Sequence, residues 1–314
     1  MSEKPPEGFD ALDFGMTFAG PLSFARVPTR SEPEDAEIAV VGVPFDLGTT
    51  NRSGTRLGPR AIREESSLAG EYPEGLWPWD HDVRERFRVV DLGDIGFSVP
   101  SVESMLSQVK ARASALVAAG ISVLGLGGDH LVAYPLLRAQ AEHHGPVSLV
   151  HLDAHADTWP DDGNVNHGSM FRRAADEGLV DPARSVQIGM RTPNETHGFN
   201  VIHADELFAL GIDAVVQRCH DIVGARPTYL SVDIDFLDPA YAPGTGTPVI
   251  GGPTTWEARR LLFGLVGLDI VGADLVEVAP PYDHGAITAL AGATLAIDEL
   301  HLLGAARTAR AARG

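Results

Sequence analysis

One cysteine, Cys219, stands alone among 314 residues, so no disulfide can form within the chain. Cationic side chains are scarce as well: 24 Lys and Arg face 43 Asp and Glu, for a formal net charge of -19. That balance disfavours phosphate backbones and anionic membrane surfaces as partners and favours cationic ligands. No basic segment leads into an apolar one at the start, and no stretch reads as a membrane span. Internal repeats and low-complexity linkers are missing too. What these absences leave is the expectation of a soluble, cytoplasmic protein that binds neither nucleic acid nor membrane. Its composition, 44% hydrophobic and 21% charged, is that of an ordinary globular chain.

Residues 1–36 are rich in Pro, Glu, Ser and Thr and read as an N-terminal arm. From 37 to 314 the pattern continues without a break, which favours a single domain. Apolar runs recur at Ile38–Val43, Phe87–Val90, Ile121–Leu126, Val147–Leu152, Val186–Ile188, Val201–Ile202, Tyr229–Ile234 and Ile270–Val278. Between several of them lie helical patterns: Ser101 to Ala119 with Ser101 as N-cap and Gly120 as stop, Leu131–His143, and Asp213–Val223. Thr254 with Glu257 makes a capping box before Ala258–Leu265, and Ala286–Leu303 reads as an apolar final helix. Strands that are hydrophobic throughout and alternate with helices indicate an α/β fold. Its sheet is mainly parallel, has about eight strands and is covered on both faces. In such sheets ligands bind beyond the carboxyl ends of the strands.

Four strands end there in acids and histidines. Val147–Leu152 runs into Asp153, His155 and Asp157, spaced two apart so that an extended chain points them to one side. Ile121–Leu126 leads to Gly127-Gly128-Asp129-His130, Tyr229–Ile234 carries Asp233 and Asp235, and Ile270–Val276 precedes Glu277. Carboxylates gathered this closely would raise one another's pKa until some became neutral; divalent cations keep them ionised. Mixed carboxylate and imidazole donors suit Mn²⁺, Fe²⁺, Co²⁺, Ni²⁺ or Zn²⁺ better than Ca²⁺. A pair of such ions makes hydroxide available at neutral pH for attack on an electrophilic carbon or phosphorus. Taken singly, each residue has a plainer role as a helix cap or a partner for buried backbone. Asp129 and Asp238 are expected to orient loops, and His151 to sit in the core or behind a ligand. Gly127-Gly128 lacks the further glycines and the basic residue of a phosphate loop.

Gly127-Gly128-Asp129-His130, Asp153-Ala154-His155-Ala156-Asp157 and the stretch Ser231 to Pro239 resemble the three signatures of the ureohydrolases, the family of arginases and agmatinases. Val43–Asp46, Ser53–Arg63 and Pro243–Pro248 resemble loops of the same family. Trp77–Trp79 with Val83–Arg86, Val186–Thr192 and Ile287–Leu290 are most similar to its agmatinase members. The resemblance implies a three-layer α/β/α sandwich, two Mn²⁺ ions and a homo-oligomer, trimer or hexamer. One ion would be held by His130, Asp153, Asp157 and Asp233, the other by Asp153, His155, Asp233 and Asp235. It implies hydrolysis of a guanidino group to urea and an amine, foremost agmatine to putrescine. Asp157 would orient the attacking hydroxide, Glu277 would pair with the guanidinium, and His167 would pass a proton to the leaving amine. For His167 a loop-stabilising hydrogen bond is nearly as good a reading from the residues themselves. The loop from Thr158 to His167 is short, and Trp159, Asp161, Asp162 and Asn166 are its candidate substrate contacts. Agmatinases often have Tyr and Asp where this loop has Trp159 and Asn166, which leaves room for another guanidine: 4-guanidinobutyrate, proclavaminate or a small biguanide. Two readings from other classes compete: a deacetylase-like amidohydrolase with one zinc on two Asp and one His, and a non-catalytic subunit that kept the fold.

Overall fold

The computed structural model describes residues 19–68, 77–161, 163–193 and 195–313. Asp162 and the first half of the arm therefore lie outside the described residues. Each of the eight apolar runs forms a strand: β1 (Ile38–Val43), β2 (Val89–Asp94), β3 (Ser122–Gly127), β4 (Ser148–Leu152), β5 (Val186–Met190), β6 (Asn200–His203), β7 (Pro227–Asp233) and β8 (Asp269–Val276). Among the described residues they build one sheet, in the order β2-β1-β3-β8-β7-β4-β5-β6, with every pairing parallel. The four strands with unusual tips, β3, β8, β7 and β4, are contiguous at its centre. Parallel pairing puts all four carboxyl ends at one rim.

Helices cover both faces, as near-continuous hydrophobic strands require. Alternate strand residues pack to opposite sides. Val40, Leu124, Leu230 and Leu275 belong to one core with α7 (Ile212–Val223), α8 (Thr255–Gly264) and α9 (Ile287–Arg313). Ala39, Val123, Leu149 and Val276 belong to the other, with α3 (Val102–Ala118), α4 (Ala133–His144) and α5 (Met170–Asp176). The expected caps form: the Ser101 side chain accepts from Ser104 N–H, and Thr254 and Glu257 close a reciprocal capping box.

Several elements depart from the sequence pattern. α9 does not stop at Leu303 but runs to Arg313. Gly304 is no terminator: a Cβ there would lie 2.8 Å from Val83 and 2.9 Å from Phe87, so the glycine lets α9 press against α2 (Val83–Arg86) and the residue after it. α9 is also long and apolar enough to cross a membrane, contrary to the expectation that no such stretch exists. However, 83% of that apolar window is buried inside the fold, as suits a core helix. A helix over Gly58–Ser66 (α1) occupies what read as a loop. Its Arg63, buried, donates from Nε and Nη2 to Asp91 and from Nη1 to Asp94, fastening α1 to β2. Short helices α5 and α6 (Ala204–Leu210) were likewise not evident from periodicity. The described part of the leader, 19–36, lies against this edge: Phe24 N–H donates to Asp91 and Ala25 N–H to Ser66.

Candidate metal centre and active site

At the central rim the strand tips converge on two adjoining clusters. His130, just past β3, aims Nδ1 at Asp157 Oδ2 (3.0 Å), Asp153 Oδ2 (3.2 Å) and Asp233 Oδ2 (3.3 Å). His155 aims Nδ1 at Asp235 Oδ2 (3.1 Å) and at Asp153 Oδ1 (3.3 Å). Asp153 thus divides its two oxygens between the clusters. Close approach of backbone makes this possible at β3. A Cβ on Gly128 would sit 2.1 Å from the carbonyl oxygen of Phe45, so only glycine lets the chain turn there toward His130.

All these groups except His155 are buried, and their charges do not balance as they stand. Burial drives Asp233 well above the carboxylate range, reinforced by Asp235 and Asp153; Asp235 is raised for the same reasons. Burial opposes charge on His130 too, yet the three carboxylates around it raise the imidazole well above its ordinary value. His155 is pushed up to about 12 by Asp235 and Asp153 against the same desolvation. Asp153 goes the other way, held far below the carboxylate range because the surrounding imidazoles outweigh its burial. Without a cation, then, the cluster holds together only by protonating its imidazoles and neutralising a carboxylate. One atom shows what is missing: His130 Nδ1, wholly buried, has no hydrogen-bond partner although three carboxylate oxygens surround it. A divalent cation fits that demand, and the donor set of oxygen and imidazole nitrogen suits a first-row transition ion.

His151 is close enough to be mistaken for a ligand. Both its nitrogens are engaged: Nε2 bonds Asp153 Oδ2 at 2.8 Å, and Nδ1 receives the Gln187 amide at 3.1 Å. The same amide donates to Ala156 O (2.6 Å), which fixes its orientation. His151 therefore orients Asp153 from behind, as expected. Asp129 and Asp238 also keep their plainer roles. Asp129 accepts from Gly48 and Leu131 N–H, and Asp238 from Ala240, Gly251 and Gly252 N–H.

Beside the clusters lies a cavity of about 60 Å³ lined by Thr50, His155, Asp157, Trp159, His167, Thr192, Asp233 and Thr247, among others. Glu277 stands behind it, fully buried. Its Oε1 accepts from His130 N–H (2.9 Å) and meets His167 Nδ1 (2.8 Å), while Oε2 has no partner. Burial lowers His167 and Glu277 raises it, to about 9 on balance. Against that, the Thr50 amide N–H points at His167 Nε2 from 2.9 Å. A backbone N–H cannot reverse its polarity, so the form that fits has the proton on Nδ1, toward Glu277, and a lone pair at Nε2. Thr50, which nothing in the sequence pattern marked, is what holds His167 there. Thr247 does similar service, donating to Asp235 Oδ2 (3.1 Å).

Of the described candidate substrate contacts, Trp159, Asp161 and Asn166, only Trp159 lines this cavity. Asp161 is turned outward and bound by Arg173 Nε at 2.6 Å. Asn166 folds back on its own loop, accepting from Gly168 N–H, and faces a separate groove of about 880 Å³. Asp161, expected from its loop position to meet a cationic tail, is here engaged by the neighbouring Arg173 instead.

The arrangement has close counterparts. The model of the Arginase family matches residues 36–301. The chain belongs to the arginase family. An agmatinase of Proteus mirabilis is 50% identical to it over 90% of this chain and 92% of its own. A solved structure of a hypothetical agmatinase from Burkholderia thailandensis superposes with a TM-score of 0.90 at 44% identity, covering 93% of this chain and 94% of the other. Proclavaminate amidino hydrolase from Streptomyces clavuligerus superposes at 0.88 with 39% identity, over 93% and 99%. The eight-stranded parallel sheet between helices is thus the arginase-family α/β/α sandwich. Family members are binuclear metal hydrolases of the ureohydrolase type, and both imidazole clusters seen here accord with that chemistry. A single zinc on two Asp and one His does not describe a site in which His130 and Asp157 join the carboxylates.

Proposed function

We propose that this arginase-family hydrolase cleaves agmatine to putrescine and urea. The observation that carries the reading is the paired cluster: Asp153 shared between His130 and His155 at the tips of β3 and β4, in a chain half identical to agmatinases. One cation would rest among His130, Asp153, Asp157 and Asp233, the other among Asp153, His155, Asp233 and Asp235, with Mn²⁺ as the proposed metal. When bound, two such ions polarise the substrate and make hydroxide available at neutral pH.

The chain's own groups do the rest. Asp157, which lines the cavity, would orient the nucleophile as well as help hold a cation. Glu277 offers its free Oε2 to the guanidinium, whose planar fork suits a carboxylate. His167, its Nδ1–H held by Glu277, would take up on its Nε2 lone pair the proton released as the nucleophile adds, and return that proton to the departing amine. Trp159 closes the cavity with an apolar wall over which an alkyl tail can lie.

A urea-release assay on agmatine, arginine, 4-guanidinobutyrate and a proclavaminate-type guanidine tests this, run after loading with Mn²⁺, Ni²⁺ and Zn²⁺ separately. Agmatine should give the highest kcat/KM, with Mn²⁺ supporting it. Another guanidine ranking tenfold above agmatine overturns the substrate assignment. The chain is further proposed to work in the cytoplasm as a trimer or hexamer, which light scattering of the purified protein reads directly.

A further inference from the structure

Beneath the two clusters runs a row of polar side chains that the reaction itself does not use. Gln187 on β5, His151 on β4, Ser231 on β7 and Asp274 on β8 pair in register from strand to strand, and all four are fully buried. Buried polar groups are costly unless hydrogen-bonded, so each contact in the row has to be accounted for. Gln187 and His151 hold Asp153, as described above. Ser231 and Asp274 lead instead to His130.

Counting protons fixes the direction of that second branch. Ser231 Oγ lies 2.7 Å from Asp274 Oδ1 and 2.8 Å from His130 Nε2. The other Asp274 oxygen takes the Tyr229 hydroxyl at 2.5 Å. A carboxylate can only accept, and a serine has one proton to give. With that proton committed to Asp274, Ser231 must accept from His130, so the imidazole carries its hydrogen on Nε2. Its Nδ1 is then a lone pair facing Asp153, Asp157 and Asp233. In the opposite tautomer an N–H would fill that space, and His130 could hold no cation. Outer hydrogen bonds commonly select the tautomer of a metal-binding histidine.

We propose that Asp274 is a positioning residue: through Ser231 it sets the tautomer of His130, and with it the affinity of the cation His130 would hold. The proposal rests on the metal-centre reading above. Its test reads metal binding alone, so it can fail while urea release from agmatine stands.

The experiment is titration of the metal-stripped full-length chain with Mn²⁺, measuring bound ions per chain and their dissociation constants. Asp274→Ala and Ser231→Ala should weaken one of the two ions by on the order of 10- to 100-fold more than the other. Asp274→Asn, which keeps an acceptor for Ser231 by turning its amide, should recover most of that loss. Tyr229→Phe leaves Ser231 and Asp274 facing each other and should bind as the parent does. Parent-like binding in both alanine variants overturns the proposal. An equal loss in Tyr229→Phe also overturns it, since packing alone would then explain the effect. Should Asp274→Ala fail to fold, Ser231→Ala removes a single oxygen and decides the question by itself. A parent chain that binds no Mn²⁺ overturns both this proposal and the metal-centre reading, which the other outcomes leave intact.

Discussion

Nδ1 of His130 and the carboxylate of Asp157 meet at 3.0 Å, although Asp157 reaches that position only with a left-handed backbone, φ 53°. Glu277, which meets His167 Nδ1 at 2.8 Å, is left-handed too, with φ 65°. Each such conformation costs a non-glycine residue about 1–2 kcal/mol, and it persists only where the surrounding fold imposes it. Two strained carboxylates, one lining the cavity and one buried behind it, mark a site built for chemistry rather than stability.

Replacing Asp157 by Asn tests that reading. Asparagine tolerates the left-handed region and removes one of the crowded negative charges, so the metal-free chain should melt at the same temperature or higher. Urea release should fall by about 10²–10³-fold, the range for deleting one preorganised electrostatic group. Calorimetry beside steady-state kinetics checks both. A melting temperature that drops along with activity contradicts it.

Glu277→Gln separates substrate binding from metal binding. The glutamine oxygen can still accept from His130 N–H and His167, so fold and metal content should match the parent by elemental analysis. Losing a buried charged partner for the guanidinium costs about 2–5 kcal/mol, or roughly 30-fold to several thousandfold in kcat/KM. Depleted metal in this variant would move Glu277 from substrate partner to support of the metal centre.

Trp159→Ala and Asp161→Ala form a contrasting pair. The tryptophan lines the cavity, and removing it should raise KM for agmatine by roughly tenfold, as loss of 1–2 kcal/mol of contact implies. Asp161, bound to Arg173 outside the cavity, should change KM by less than about twofold, because its partly buried ion pair does not reach the substrate. The reverse ranking would return the loop acid to the substrate.

His301 predicts the acid limb of stability. It stacks on Trp79 with ring centroids 4.5 Å apart, next to His81, and burial together with that second imidazole pulls it from its ordinary 6.5 to about 3. Asp82 pulls the other way, and Arg84 and Arg259 add to the lowering. Above pH 6.5 both folded and unfolded forms are neutral. As pH falls below 6.5 the unfolded chain gains a proton that the folded one refuses, so stability is lost progressively down to about pH 3. His301→Phe keeps the stacking and should reduce the stability difference between pH 7 and pH 5 by about 2 kcal/mol, measured by urea unfolding of the metal-free chain. An unchanged difference would mean that His301 is protonated in the fold.

Much of the fold and of the site is legible in the sequence, for reasons particular residues show. The eight strands could be read because parallel strands are apolar on both faces. The reading of β2 ended too early at Val90 because the strand continues through Asp91 and Asp94, which Arg63 neutralises from α1. The metal-type residues stood out because His130, Asp153, His155, Asp157, Asp233 and Asp235 come in tight sequence groups at strand ends. Thr50, Thr247, Tyr229 and Asp274 were invisible, since their roles depend on which strand lies beside which. Asp161 misled because charge in a loop carries no direction until its partner is known.

The most direct test of the whole account is a crystal structure of the Mn²⁺-loaded chain with anomalous difference maps at the manganese edge. Two peaks are expected, one contacting His130 Nδ1 and one contacting His155 Nδ1, with Asp153 and Asp233 reaching both. A single peak, or two that do not share Asp153, would contradict it.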